Sequence, residues 1–337
     1  MGDWDFIGES TREFTHDFHL YPAVMNPRIA RKLIENFGNK GDTLLDPYCG
    51  SGTSLVEARL AGLSAIGFDL NPAARLISKS KTRNYRTDEL REFVERLLNE
   101  IEKMELLSWE NALQSCGFSE ESVKSWFPEE SIIEISSFLN CISEVGKGNE
   151  NQSVFARIAL SDCLRKVSLQ RMNEWKNYRI EGWREMEISE QYVELMPLFE
   201  KKITSNLQSA IDFMSRLENE SFSETFVEVE NTNSVYERKF HGRPQGGFDI
   251  VVTSPPYGDS STTVAYEQFS WFTNVWLELD NRPSGNLARE LMGGIKSKEV
   301  MEIGCPEIDH SLSMMEEKFA TKSYSFYQYL LKSIANI

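Results

Sequence analysis

Two short clusters in this chain have residue types and spacing suited to chemistry. The first is Asp46-Pro47-Tyr48-Cys49-Gly50-Ser51-Gly52-Thr53, set between an apolar run at 43–45 and a segment patterned as a helix at 54–61. Glycines in such a turn let the backbone approach a ligand closely, and the free N–H groups opening the next helix attract an anionic group. A second carboxylate, Asp69, stands 23 residues after Asp46, at the end of another apolar run at 64–68. A carboxylate in that position can accept both hydroxyls of a ribose, by the geometry that dinucleotide-binding folds use. The turn lacks both the Lys-Ser/Thr ending of a triphosphate loop and the GxGxxG spacing of dinucleotide sites. Taken by itself it reads equally as a tight strand-to-helix turn capped by Ser51 or Thr53, with Asp69 a solvated carboxylate.

The second cluster is Thr253-Ser254-Pro255-Pro256-Tyr257, directly after the apolar run Ile250-Val251-Val252. Two prolines fix the local backbone and remove two N–H donors, so the turn presents carbonyls and a rigid aromatic ring. That suits holding a planar, amine-bearing ring against Tyr257. Ser254 Oγ and the Pro255 carbonyl would accept the amine hydrogens and steer the nitrogen lone pair toward an electrophilic methyl group. Taken alone, the cluster also reads as a proline-rich loop closing a strand.

The elements that must position these clusters alternate strand and helix. Residues 43–45 and 64–68 read as strands, and Asn71-Pro72 opens a further helix with proline in its first turn. Such alternation predicts parallel strands with crossover helices, the α/β class. Before them, Pro27 opens an amphipathic helix with Ile29, Leu33, Ile34 and Phe37 on one face. Residues 86–225 carry few turn signals and read as an almost wholly helical insertion. Strand signals return at 226–229 and 248–252, and the tail from 312 reads as a helix with Tyr324, Tyr327, Leu330, Leu331 and Ile334 on a buried face. Three regions follow: 1–85 with the Gly-rich turn, the 86–225 insertion, and 226–337 with the proline turn.

The chain of 337 residues holds 36 Lys+Arg against 52 Asp+Glu, a formal net charge of −16. That balance excludes a protein that coats nucleic acid over its whole surface, though not a local basic groove. Residues 157–184 hold seven Lys/Arg against three Asp/Glu with Trp175, Tyr178 and Trp183 interleaved. A stretch of this kind is either a nucleic-acid-contacting surface or a solvated helix face. The five cysteines, Cys49, Cys116, Cys141, Cys163 and Cys305, are scattered without a CxxC pair, which predicts a reduced, cytoplasmic protein. No apolar run reaches the roughly 18 residues of a membrane span. His16 and His19 have no third ligand nearby in the sequence, so no metal is expected.

Taken together, the two clusters resemble the cofactor and catalytic motifs of the DNA amino-methyltransferases, which transfer a methyl group from S-adenosylmethionine to cytosine N4 or adenine N6. His16-Asp17-Phe18-His19-Leu20-Tyr21-Pro22-Ala23 is similar to the family segment that lines the methionine pocket. The resemblance touches about residues 14–85 and 226–275. It implies a Rossmann-like class I methyltransferase sheet carrying a large helical insertion. It also implies that Tyr21 and the turn from Asp46 to Thr53 hold the methionine part of the cofactor and Asp69 its ribose. Ser254, Pro255, Pro256 and Tyr257 would hold the target base, flipped out of duplex DNA. Asn233 stands where the family has an Asp-bearing turn near the cofactor's adenine, and reads as an amide contact or an ordinary turn residue. Serine at 254, where adenine-N6 members usually have aspartate, points to cytosine-N4. A family sheet continues with more strands after the catalytic motif, and none is signalled here. The sheet is therefore expected to lack its C-terminal strands, and a second polypeptide is expected to complete it. An RNA amino-methyltransferase and an inactive or split fragment are the alternative readings.

Overall fold

The computed structural model describes residues 4–182, 192–232, 247–255, 266–280 and 306–314. The α/β expectation is met. Four parallel strands, β1 (Thr43–Asp46), β2 (Ser64–Phe68), β3 (Val227–Glu230) and β4 (Ile250–Val251), form one sheet in the order β3-β2-β1-β4. Leu44 pairs with Ala65 on one side of β1 and with Ile250 on the other. All four residues of β1 are buried, which explains why Leu44 and Leu45, on opposite faces, are both apolar: helices cover a parallel sheet on both faces. Because β2 and β4 lie on opposite sides of β1, the strand order reverses there. The crevice outside the carboxyl ends of β1 and β4 is the place where open α/β sheets bind ligands.

Helix α1 (Pro27–Phe37) begins as its sequence predicts, with the Asn26 side chain accepting from Arg28 N at 2.9 Å and Pro27 in the first turn. Its buried face is Ala30 and Ile34; Phe37, expected on that face, is 71% exposed. The next residue, Gly38, packs closely on Leu63 and Ile250, so helical spacing alone misplaces Phe37. Helix α2 (Thr53–Leu60) links β1 to β2, and α3 (Pro72–Lys81) follows β2 with Asn71 as its cap.

The chain then forms α4 (Thr87–Lys103), α5 (Trp109–Ser115), α6 (Glu120–Lys124), α7 (Glu129–Val145), α8 (Glu150–Cys163) and α9 (Leu195–Asn219). These share one apolar core, rich in Phe93, Phe127, Phe155, Phe199 and Phe213, with Phe18 and with Val56 and Leu60 of α2. The helical region is thus packed directly onto the helix that follows the Gly-rich turn. Beyond β4 come α10 (Tyr266–Trp276) and α11 (Pro306–Ser313).

One part of the helical expectation for 86–225 is corrected. Helix α8 ends at Cys163, and residues 169–180 form a hairpin-like finger. An antiparallel bridge joins Gln170 to Arg179, Arg171 N donates to Tyr178 O at 2.7 Å, and Ile180 N donates to Leu169 O at 2.9 Å. Gln170 Nε2 spans the base by donating to the carbonyls of Arg171 and Lys176. Asn173 takes φ +64° at the tip, a conformation asparagine tolerates better than most residues. No glycine or proline marks this finger, so the sequence reads on as helix.

Candidate active site

The turn after β1 is held from behind by its glycines. Gly50 and Gly52 have φ of +50° and +84°, and a Cβ on Gly52 would lie 3.1 Å from Ser78 Cα. Only glycine lets the turn sit this close to α3. Gly52 also opens α2 without any side-chain cap, so the first N–H groups of that helix face the crevice. Ser51 Oγ is buried there without a partner, a group left for a ligand.

The two aspartates brace the crevice. Asp46 Oδ1 accepts from Tyr48 N at 3.0 Å and from Thr253 Oγ1 at 2.7 Å, while Oδ2 accepts from Ser54 Oγ. Burial pushes the Asp46 carboxyl above its ordinary range, against the pull of those three donors. Thr253 lies two residues past the end of β4, so this one carboxylate joins the Gly-rich turn to the proline turn across the strand reversal. Asp69 accepts from Gly50 N at 3.0 Å and from Asn71 N at 2.7 Å. Part of its surface meets the cavity, but protein atoms enclose the carboxyl, and burial pushes it up to about 6.

Both aspartates line a cavity of about 820 Å³, open mouth included. Tyr21, Pro47, Tyr48 and Cys49 line it together with Gly50, Ser51 and Thr53, and Ser254 reaches it from the proline turn. Gly52 stands behind the wall, and Pro255 lies just outside. Pro256, Tyr257 and Asn233 fall outside the described residues. Two carboxylates and no Lys or Arg line the cavity among the described residues. That charge pattern fits a cationic sulfonium, while the uncapped start of α2 and the unpartnered Ser51 hydroxyl fit a carboxylate. The residues present therefore fit S-adenosylmethionine.

Several contributors have no signature in the sequence. Asn71, readable only as a helix cap, donates from Nδ2 to Tyr21 Oη at 3.0 Å and to Ser270 Oγ at 2.8 Å. Asn274 of α10 accepts from Ala73 N at 3.0 Å, fixing α10 against the start of α3. Thr232 and Tyr266 complete the cavity wall. His16 is a packing residue: its Nε2 lies 2.8 Å from Glu57 Oε1, and Arg31 Nε donates to Glu57 Oε2 at 2.7 Å. Burial holds His16 below its ordinary pKa despite Glu57. His19 Nδ1 is turned to the adjacent backbone, 2.6 Å from the Leu20 carbonyl oxygen.

The family model for DNA methylases of the N6/N4 type matches residues 3–80. The Type II methyltransferase M.MvaI of Kocuria varians is 33% identical over 351 residues, covering 98% of this chain and 74% of that protein. The Type II methyltransferase M.BsoBI of Geobacillus stearothermophilus is 23% identical over 72% of this chain and 49% of its own length. A tRNA (guanine(10)-N2)-dimethyltransferase of Methanothermobacter thermautotrophicus is 44% identical, but over only 53 residues, 15% of this chain and 16% of that enzyme. No solved structure matches the chain. A relative this similar along almost the whole chain settles the affiliation: the protein belongs to the N6/N4 DNA methylase family, whose members take their methyl group from S-adenosylmethionine.

Proposed function

We propose that the chain is a site-specific DNA methyltransferase acting on the exocyclic amine of a flipped cytosine. The Asp46–Thr253 hydrogen bond carries this reading, because it holds Ser254 at the wall of the cofactor cavity. Bound S-adenosylmethionine supplies the electrophilic methyl group. Asp69 orients the ribose, and Ser51 with the start of α2 receives the carboxylate. Ser254 Oγ and the Pro255 carbonyl accept the two amine hydrogens, so the nitrogen lone pair points at the methyl carbon. Tyr257, by its place in the motif, stacks on the base and offsets part of the few kcal/mol that unstacking costs. The 86–225 helices contribute to target recognition. Serine at position 254 favours cytosine N4 over adenine N6.

The test is transfer of a labelled methyl group to duplex DNA, followed by digestion and chromatography of the nucleosides. N4-methylcytosine is expected, and Tyr257→Ala should lower kcat/KM for DNA by about 10- to 100-fold, the range of one lost base stack. N6-methyladenine would overturn the base assignment, and transfer to RNA alone would overturn the substrate. Transfer by the purified chain would remove the need for a second polypeptide.

A further inference from the structure

A second, larger cleft opens beside the cofactor cavity. Tyr21, Ala23, Val24, Met25 and Thr53 line both, so the two are continuous. The cleft measures about 1060 Å³, at the upper end of the few hundred to about 1,000 Å³ of a small-molecule site, and it opens widely to solvent. Its charge is opposite to that of its neighbour. Arg12, Lys81, Arg165, Lys166, Arg171, Lys201 and Lys202 line it, against Asp17, Asp162 and Glu174. Asp162 is already neutralised by Lys166 at 3.3 Å and Lys202 at 3.4 Å. In a chain of −16 this is a local positive field shaped for a polyanion.

The 169–180 finger forms part of the cleft wall. At its tip Met172 is 57% exposed and Trp175 45% exposed, both lining the cleft. A large apolar pair held out among cations differs from a solvated charged face. The tip is also tied to the helix that follows the proline turn. Trp175 packs on Phe269 of α10 with ring centroids 5.5 Å apart, and the Arg165 guanidinium lies 4.5 Å from the same ring. Asn177 N donates to Gln268 Oε1 at 3.2 Å. Phe269 in turn meets Tyr21 edge-on at 6.4 Å, at the junction of the two cavities.

We propose that the 169–180 finger is the element that grips duplex DNA beside the flipped base. Met172 and Trp175 press on the stack or groove, and Lys166, Arg171 and Lys201 follow the phosphates, while Arg165 holds the finger by donating to Asn177 Oδ1 and the Glu174 carbonyl. The inference rests on the DNA-methyltransferase reading and adds the element that makes the contact. Apolar side chains that wedge between base steps while cations hold the backbone are an established way to distort a duplex. The Trp175–Phe269 contact and the Asn177–Gln268 hydrogen bond set the register between the gripped duplex and the proline turn.

Arg171→Ala, Met172→Ser and Trp175→Ala are compared with wild type and Trp175→Phe. Three measurements are made: retention of a labelled duplex fragment across a salt series, methyl transfer to unmethylated plasmid DNA, and calorimetric binding of S-adenosylmethionine. Arg171→Ala should reduce the salt slope of duplex retention by about 1. Met172→Ser and Trp175→Ala should raise KM for DNA by about 5- to 50-fold, with Trp175→Phe restoring most of it. Calorimetric affinity for S-adenosylmethionine should stay unchanged in all of them, which also shows that they are folded. Wild-type salt slope and KM in the three finger variants would overturn the inference. Absence of transfer to DNA by the wild type would instead sink the methyltransferase reading, and duplex retention would still test the finger.

Discussion

Asp69 and Asp162 are both enclosed carboxylates, they line neighbouring cavities, and they titrate in opposite directions. Burial pushes Asp69 up to about 6, against the Asn71 N–H, the Arg75 guanidinium and the Gly50 N–H. Burial acts on Asp162 too, but His19, Lys202 and Lys166 outweigh it and hold that carboxyl at about 2. The difference shows how one acidic chain serves two ligands of opposite charge. Asp69 lies in a cavity whose described lining offers no Lys or Arg, so Arg75 and two backbone N–H groups offset its charge only in part. Asp162 uses its charge to hold lysines in place on the wall of a cleft that faces a polyanion.

The largest expected effect lies at Asp46, whose carboxylate is both brace and charge. Asp46→Ala would strand three donors, those of Tyr48, Ser54 and Thr253. Each unsatisfied buried group costs about 1–3 kcal/mol, partly offset here because a costly buried charge is removed as well. Urea unfolding should show a loss of about 2–4 kcal/mol, and calorimetry no binding of S-adenosylmethionine. Asp46→Asn separates the two roles. Its carbonyl can accept from Tyr48 and Thr253 while its amide donates to the Ser54 hydroxyl. Stability should then stay within about 1 kcal/mol of wild type while cofactor affinity still falls. If Asp46→Asn binds the cofactor as wild type does, the negative cavity is scaffolding only, and the contrast with the basic cleft loses its meaning.

Asp69 gives the next effect, and its sign is opposite for stability and for binding. Its folded pKa of about 6 lies above the ordinary 3.8, so the proton favours the folded state. The contribution of this group to apo stability is fully present below pH 3.8 and is lost as pH rises through about 6. It amounts to at most about 3 kcal/mol, less where the cavity admits water. Affinity for a cationic cofactor needs the ionised form and should fall about tenfold per pH unit below pH 6. Asp162 does not blur this window, because stability tied to its lowered pKa is present above 3.8 and lost only as pH falls toward 2. Calorimetric affinity that stays flat between pH 5 and pH 7 would break the assignment of Asp69 to the cofactor.

What the sequence made legible was local. The Gly-rich turn, the strand ends at Asp46 and Asp69, and the caps at Asn26 and Asn71 each follow from a few neighbouring residues whose conformational demands are strong. The cavity depends on pairs far apart in the chain. The Asp46–Thr253 hydrogen bond spans 207 positions and the Asn71–Ser270 bond 199, and no periodicity announces either. The finger was hidden for another reason. Its turn rests on Asn173 in a left-handed conformation and on the Gln170 amide bridging two carbonyls, so the glycine and proline that usually mark a hairpin are not needed. Phe37 shows the converse failure, a residue with the right spacing at the end of a helix that nonetheless stays exposed.

The smallest effect sharpens the boundary between the two cavities, which meet at Tyr21. Asn71 fixes that residue to α10 and caps α3 by accepting from Ala73 N at 3.2 Å. Asn71→Ala should cost about 1–2 kcal/mol of stability, the usual worth of a lost cap plus exchangeable hydroxyl bonds. Asn71→Asp keeps the cap acceptor and gives up the amide donors, so the Tyr21 and Ser270 hydroxyls must turn to donate to it. It also adds a second carboxylate near Asp69, which should raise the pH at which cofactor affinity begins to fall. If Tyr21 belongs to both cavities, Asn71→Ala should raise KM for the cofactor and for DNA together, each by about threefold, since a shift well under 1 kcal/mol in one shared wall residue reaches both ligands. A change in KM for only one ligand would mean that the wall at Tyr21 serves that side alone, and that the acidic and basic cavities are positioned independently.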